Sequence, residues 1–461
     1  MSTLRELAAR VGARAVGAHE LVAESLRRIE ALDPDLGAVV ALRAQEALDE
    51  ARTLDDLLAR GGDAGPLAGL PALIKDNTDV AGMRTTFGSL AFAQAAPAAR
   101  DARVTARLRA AGAIVVGKTN LPEFATEGYT SNLLFGSTGN PWRRERTPGG
   151  SSGGSAAALA AGLAALATAT DGGGSIRIPA AYCGLAGLKP TNGVIGRDGA
   201  PDWIDFSTDG PFSAHVEDLG LLLDVVRGPG PGDPTALPAW SGPAPDGPPA
   251  RLVAVERFSD HGPLAPEVAE PFGRAVERFA EVFGLPVERV TPGELFPGGS
   301  IADDWLTIAP VEHAHALGRE WIEAHADELH PAARSFLEVG LAVSAEAYVA
   351  ARRRRFDHVR ALDERLGDDG LLLSPVMTVD ACPADGGGRG SPADWYCSDA
   401  QNVTGHPALS LPAGFHESGV PFGLQVTGPR FRDDLLLRVA ARWEEAAPWP
   451  LVAPGYEAFG G

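Results

Sequence analysis

TPGGSSGGS (147–155) runs directly into AAALAAGLAALATAT (156–170) and then into DGGGSIRIP (171–179). Two glycine-rich turns, each carrying serine, thus flank one segment of small side chains. Glycine lets backbone amides converge on a point and leaves a neighbouring hydroxyl approachable, because no Cβ stands in the way. The 156–170 run falls short of the roughly 20 strongly apolar residues that a membrane span needs. It predicts a buried helix whose small side chains pack closely.

Outward from this core, helical periodicity covers residues 3–60, with Val22, Leu26 and Ile29 on one face and a capping-box pair, Thr3 and Glu6, at its start. GPLAGLPALIKDN contains a short apolar strand ending in Lys75. Residues 101–111 predict a helix, and AIVVG (113–117) a buried β-branched strand. Residues 228–250 are the densest Pro/Gly stretch, a linker or a long surface connection. LVAV and LLLSPV predict further strands, 265–283 and 345–366 helices. PALSLPAGF and FGLQVTG form an expected antiparallel pair, and a helix from Asp433 to Ala446 closes the chain. This alternation argues an α/β fold.

The 461 residues carry a formal charge of −20, from 60 acidic and 40 basic side chains. That field repels phosphate backbones and anionic lipid, so neither nucleic acid nor a membrane is an expected partner. Three cysteines (Cys183, Cys382, Cys397) without a CxxC fit a reduced, cytoplasmic protein. The pair His313 and His315 sits in helix-like sequence, and no metal site is expected there. Lysine occurs only at Lys75, Lys118 and Lys189. Where arginine supplies nearly all positive charge, a retained lysine suggests a role arginine cannot fill, such as a neutral amine.

GAIVVGKT (112–119) matches the P-loop pattern by letter, yet its middle reads as a strand where a phosphate-cradling loop is needed. GSSGG (150–154) matches a nucleophile elbow at Ser152, with Asp380 or Asp385 and His406 as partners. The preceding RRERTPGG cannot be the buried strand that an elbow requires. A third combination joins Lys75 at a strand end, Ser151 in the first turn and Ser175 in the second. Ser175 would be the nucleophile, Ser151 the relay and Lys75 a base made neutral by burial; the amides of Gly172, Gly173, Gly174 and Ser175 would hold an oxyanion. Each piece alone also reads as ordinary structure: a core-edge lysine, a turn serine, a glycine-rich strand end.

In order along residues 68–197, GLPALIKDN, GKTNLPEF, FGSTGNPW, TPGGSSGGS, TDGGGSIRIPA and GLKPT resemble the amidase signature family. Weaker similarity continues through NVTGHPALSLPAGF and FGLQVTG. The resemblance implies one α/β domain over 1–461, with a large twisted mixed β-sheet flanked by helices. The 1–60 segment then belongs to that domain, and 228–250 becomes a surface connection. It also implies a Ser-cisSer-Lys triad at Ser175, Ser151 and Lys75, with Ser152 in support and Asp171 and Arg177 as a supporting charge pair. Ala125 and Thr126 would line the substrate pocket with Ser151, within a stretch reaching Tyr129. Neither a metal nor an organic cofactor is implied. The chain departs from the family at Ser207 and Ala214, where members carry Asp and Arg, and residues 295–345 match no subfamily pattern. The implied substrates are small amides, aryl amides, carbamates, ureas or esters. The alternatives are the glutaminase component of an amidotransferase, which needs partner subunits, and a non-catalytic scaffold. The resemblance leaves room for a homodimer.

Overall fold

Pro71–Lys75 and Ile114–Thr119 are buried at every position, the pattern of strands covered on both faces. In the computed structural model, which describes residues 2–198, 203–238, 247–259, 264–388 and 397–460, they pair in parallel at the centre of a four-stranded sheet. Val39–Leu42 lies antiparallel on one side and Leu166–Ala167 parallel on the other. A seven-stranded mixed sheet follows the order Phe212–Ser213, Ala186–Lys189, Ala408–Phe415, Pro421–Thr427, Gly370–Pro375, Arg251–Ala254, Val287–Arg289. Helices flank both sheets, and one continuous core of mostly Ala, Leu, Val and Phe runs between them. The seven-stranded sheet is the large mixed sheet expected, and the described strands add the four-stranded sheet and two two-stranded ones.

Most expected elements form within a residue or two of their predicted bounds. The Thr3–Glu6 capping box opens the first helix, Leu4–Gly12. The helices Arg103–Ala110, Pro266–Phe283, Ala345–Leu366 and Asp433–Ala446 are all present. Val39–Leu42 interrupts the helical 3–60 segment with a strand that the periodicity did not signal. The 156–170 run departs from expectation. Its helix spans only Gly153–Ala160, Gly162 turns the chain at a φ of 65°, and the remainder becomes the strands Leu166–Ala167 and Ala169–Asp171. β-Branched Thr168 and Thr170 favour that extended course. Part of the 228–250 connection, residues 239–246, lies outside the described residues.

This reversal delivers the second serine turn. Ala169–Asp171 pairs antiparallel with Thr208–Gly210, and the chain then turns through 172–176 into the helix Arg177–Cys183. The first turn enters the helix Gly153–Ala160, beside Lys75 at the end of its strand. No helix among the described residues is long and apolar enough to cross a membrane.

Candidate active site

All three lysines are fully buried, at 0% exposure, but their partners differ. Lys118 Nζ lies 2.7 Å from the Asp76 carboxylate. Lys189 Nζ donates to the Pro190 carbonyl and the Asn192 side chain, at 2.7 and 2.9 Å. Among the described residues, Lys75 Nζ meets only hydroxyls, Ser151 Oγ at 2.7 Å and Thr170 Oγ1 at 2.8 Å, and Asn77 Nδ2 holds the latter at 3.1 Å. Burial without an ion-pair partner brings the Lys75 amine down to about 7, against the pull of Asp171 and Asp209. The P-loop-like letters around Lys118 lie in the strand Ile114–Thr119, as their composition indicated.

Ser151 follows a cis Gly150–Ser151 peptide bond and is fully buried. Ser151 and Ser175 both line a cavity of about 380 Å³, together with Thr170, Gly172, Ala125, Trp203 and Asp209. Ser152 stands behind them: its amide donates to the Ser175 carbonyl at 3.3 Å, and its hydroxyl bridges the backbone of Thr170. The nucleophile-elbow alternative does not assemble. His406 lies 3.2 Å from Asp363, while Asp380 and Asp385 accept from nearby backbone amides.

The second turn is held by the carboxylate of Asp171. It accepts from the amides of Gly174 at 2.7 Å and Ile176 at 3.1 Å, and pairs with both Nε and Nη2 of Arg177 at 3.0 and 2.8 Å. Arg177 is completed by Gln401, Gln425 and Asn402 at 3.0, 2.7 and 2.6 Å. Burial would push Asp171 up, but the Arg177 charge and hydrogen bonds prevail and hold it near 2. The engagement of Gly174 corrects the expected donor set, since its amide already serves Asp171. Among the described residues, the amides of Gly172, Gly173 and Ser175 have no protein acceptor. Their carbonyls are fixed instead: Trp305 Nε1 donates to Gly172 O, Ser398 Oγ to Gly173 O, both at 2.8 Å, and Ser152 N to Ser175 O. A Cβ on Gly172 would fall 1.9 Å from the Trp203 ring, and Gly174 adopts a φ of 123°. Both positions therefore require glycine.

The family model described as Amidase matches residues 20–437. A glutamyl-tRNA(Gln) amidotransferase subunit of Cyanothece sp. is 34% identical, over 97% of this chain and 98% of its own. A bacterial aryl acylamidase of the amidase signature enzymes superposes with a TM-score of 0.88 at 27% identity, covering 97% of this chain and 96% of its own. A 6-aminohexanoate cyclic dimer hydrolase superposes with a TM-score of 0.86 at 29% identity, over 98% of each chain. The chain belongs to the amidase signature family.

Within this amidase-signature chain, the expected pocket residues separate. Ala125 reaches the main cavity at a φ of 61°. Thr126, its hydroxyl donating to the Glu123 carbonyl at 3.0 Å, lines a smaller adjoining cavity together with Ala125, Gly173 and Ser175. Tyr129 packs in a separate apolar cluster. Residues 295–345, unassigned from sequence, fold largely as the helices Ile301–Leu317, Arg319–Ala324 and Pro331–Ala342 and bring Trp305 and His313 to the site. His313 packs 5.4 Å from Phe124 and 6.0 Å from Trp203, and the described residues contain no cluster suited to a metal ion. Ser207, at the first family departure, lines the main cavity, while Ala214 is buried away from it.

Sequence reasoning missed Thr170, Trp203, Trp305, Ser398, Gln401, Asn402 and Gln425. Two of these carried a readable signal: Gln425, an isolated long polar residue in the apolar strand FGLQVT, and Asn402, which opens the NVTGH stretch.

Proposed function

We propose that this chain is a serine amidohydrolase that cleaves the carbon–nitrogen bond of small carboxamides, with Ser175 as nucleophile, Ser151 as proton relay and Lys75 as base. The observation that carries this reading is the buried Lys75 amine, hydrogen-bonded to two hydroxyls and, among the described residues, to no carboxylate. A lysine so placed is neutral over part of the physiological range and can accept a proton.

Lys75 takes the Ser151 proton as Ser151 takes that of Ser175, and Ser175 Oγ bonds to the substrate carbonyl carbon. The carbonyl oxygen becomes an oxyanion received by the free amides of Gly172, Gly173 and Ser175. The proton returns through Ser151 to the nitrogen, the C–N bond breaks and the amine leaves. Water then adds to the Ser175 ester by the same route, releasing the carboxylic acid and restoring the serine. Asp171 and Arg177 hold the turn without touching the substrate. Aryl amides, carbamates and esters could undergo the same acyl transfer.

Full-length similarity to glutamyl-tRNA(Gln) amidotransferase subunits favours one second reading, a glutaminase that works only with partner subunits. A fluorophosphonate should label Ser175 of the purified chain, mapped by mass spectrometry, and the unaided protein should hydrolyse members of an amide panel. Labelling elsewhere would overturn the nucleophile assignment. Hydrolysis of glutamine alone, and only with added subunits, would favour the second reading.

A further inference from the structure

Four carboxylates line the main cavity, and three of them are occupied. Asp79 accepts from the Thr85 hydroxyl at 2.6 Å. Asp101 accepts from the Ala81 amide and pairs with Arg109 at 3.1 Å, and Asp198 pairs with Arg103 at 2.7 Å. Asp209 differs. Its carboxylate has no hydrogen-bond or ion-pair partner among the described residues, although its backbone is fixed opposite Thr170, whose hydroxyl holds Lys75. The nearest influences are the charges of Arg197, Lys75 and Arg107. Arg197 donates to the Ile204 carbonyl at 3.0 Å, and Arg107 to the carbonyls of Val226 and Pro229. Neither guanidinium quenches Asp209 directly. Phe87, Phe124 and Trp203 supply an aromatic wall to the same cavity.

Resting on the amidohydrolase reading, we propose that Asp209 receives a cationic amino group of the substrate, so that the preferred amides carry a primary ammonium beside an aromatic or bulky apolar group. An unpartnered carboxylate in a half-buried wall gains most from a charged donor that replaces lost water contacts. Burial pushes Asp209 up to about 6 against the three cations, which leaves it ionised at neutral pH, where an α-ammonium is still protonated.

The test compares kcat/KM for phenylalaninamide and 3-phenylpropanamide at pH 7, in the wild type and in Asp209→Asn. The two amides share the scissile group, so their ratio cancels any effect of the substitution on Lys75. Wild type should favour the aminated amide about tenfold or more, and Asp209→Asn should bring the ratio close to one. Equal turnover by wild type, or an undiminished preference in Asp209→Asn, would overturn the proposal. If neither amide is cleaved while a fluorophosphonate labels Ser175, the Asp209 assignment fails and the serine chemistry stands. If Ser175 is not labelled either, the amidohydrolase reading fails with it. The wild-type ratio needs no variant and decides even where Asp209→Asn does not fold.

Discussion

Lys75 is held by two hydroxyls, and its chemistry follows from that company. Lys75→Arg should lower kcat/KM by about 100-fold or more, because a guanidinium keeps its proton and cannot act as a base. Steady-state assay, with thermal melting as the fold control, checks this; near wild-type turnover would remove Lys75 from the mechanism. The amine is neutral above about 7, so amide kcat/KM should rise with pH through that value and fall below it. A pH–rate profile with no change near 7 would contradict the assignment. Scarcity of lysine made this residue legible in the sequence, since arginine occupies almost every other cationic position. Thr170 was not legible: it is one threonine in TATD, and only the reversal of the chain after Gly162 brings its hydroxyl to the amine.

At the scale of the element, the turn 171–176 and the helix Arg177–Cys183 act as one unit organised by a buried ion pair. Removing one partner of such a pair leaves the other charged and desolvated, so Asp171→Asn should destabilise the fold by about 3–5 kcal/mol. Urea unfolding would register this as a lower midpoint. Asp171 is held near 2, below its ordinary 3.8. Its stabilisation is therefore complete above the ordinary value and is lost as pH falls through the folded one. Gly174→Ala should nearly abolish activity, because its Cβ would stand 2.0 Å from Ser398 Oγ at a φ of 123°; an active, stable variant would show that the turn can relax. The sequence showed the three glycines and the charge pair. It did not show that the Gly174 amide is already committed to Asp171, because a donor's direction depends on torsion angles that composition leaves open. The alanine-rich run was misjudged for a related reason. Alanine favours a helix, but Gly162 and two threonines, with strand partners at Pro71–Lys75 and Thr208–Gly210, redirect it.

Across the whole molecule, the C-terminal part of the sequence closes on the motif-rich half and completes its site. Ala186–Lys189 pairs with Ala408–Phe415, and Arg177 depends on Gln401, Asn402 and Gln425. A chain truncated after residue 388 should not fold, and circular dichroism should show loss of cooperative melting. A native-like melt would mean that the motif-rich half stands alone. The motifs of 68–197 foretold the fold class because they sit on the strands and turns that build the site. The helical segment between residues 295 and 345, whose Trp305 donates to the Gly172 carbonyl, offered no pattern to read, since one indole hydrogen bond to backbone leaves no motif in a sequence.

The complete burial of Lys75, Lys118 and Lys189 has a practical consequence. A folded molecule presents none of these three lysine amines to solvent, so amine-directed dyes and cross-linkers leave them unmodified. Dye that appears on any lysine-containing peptide would then report a molecule that has opened, and its rate of appearance would serve as a clock for unfolding.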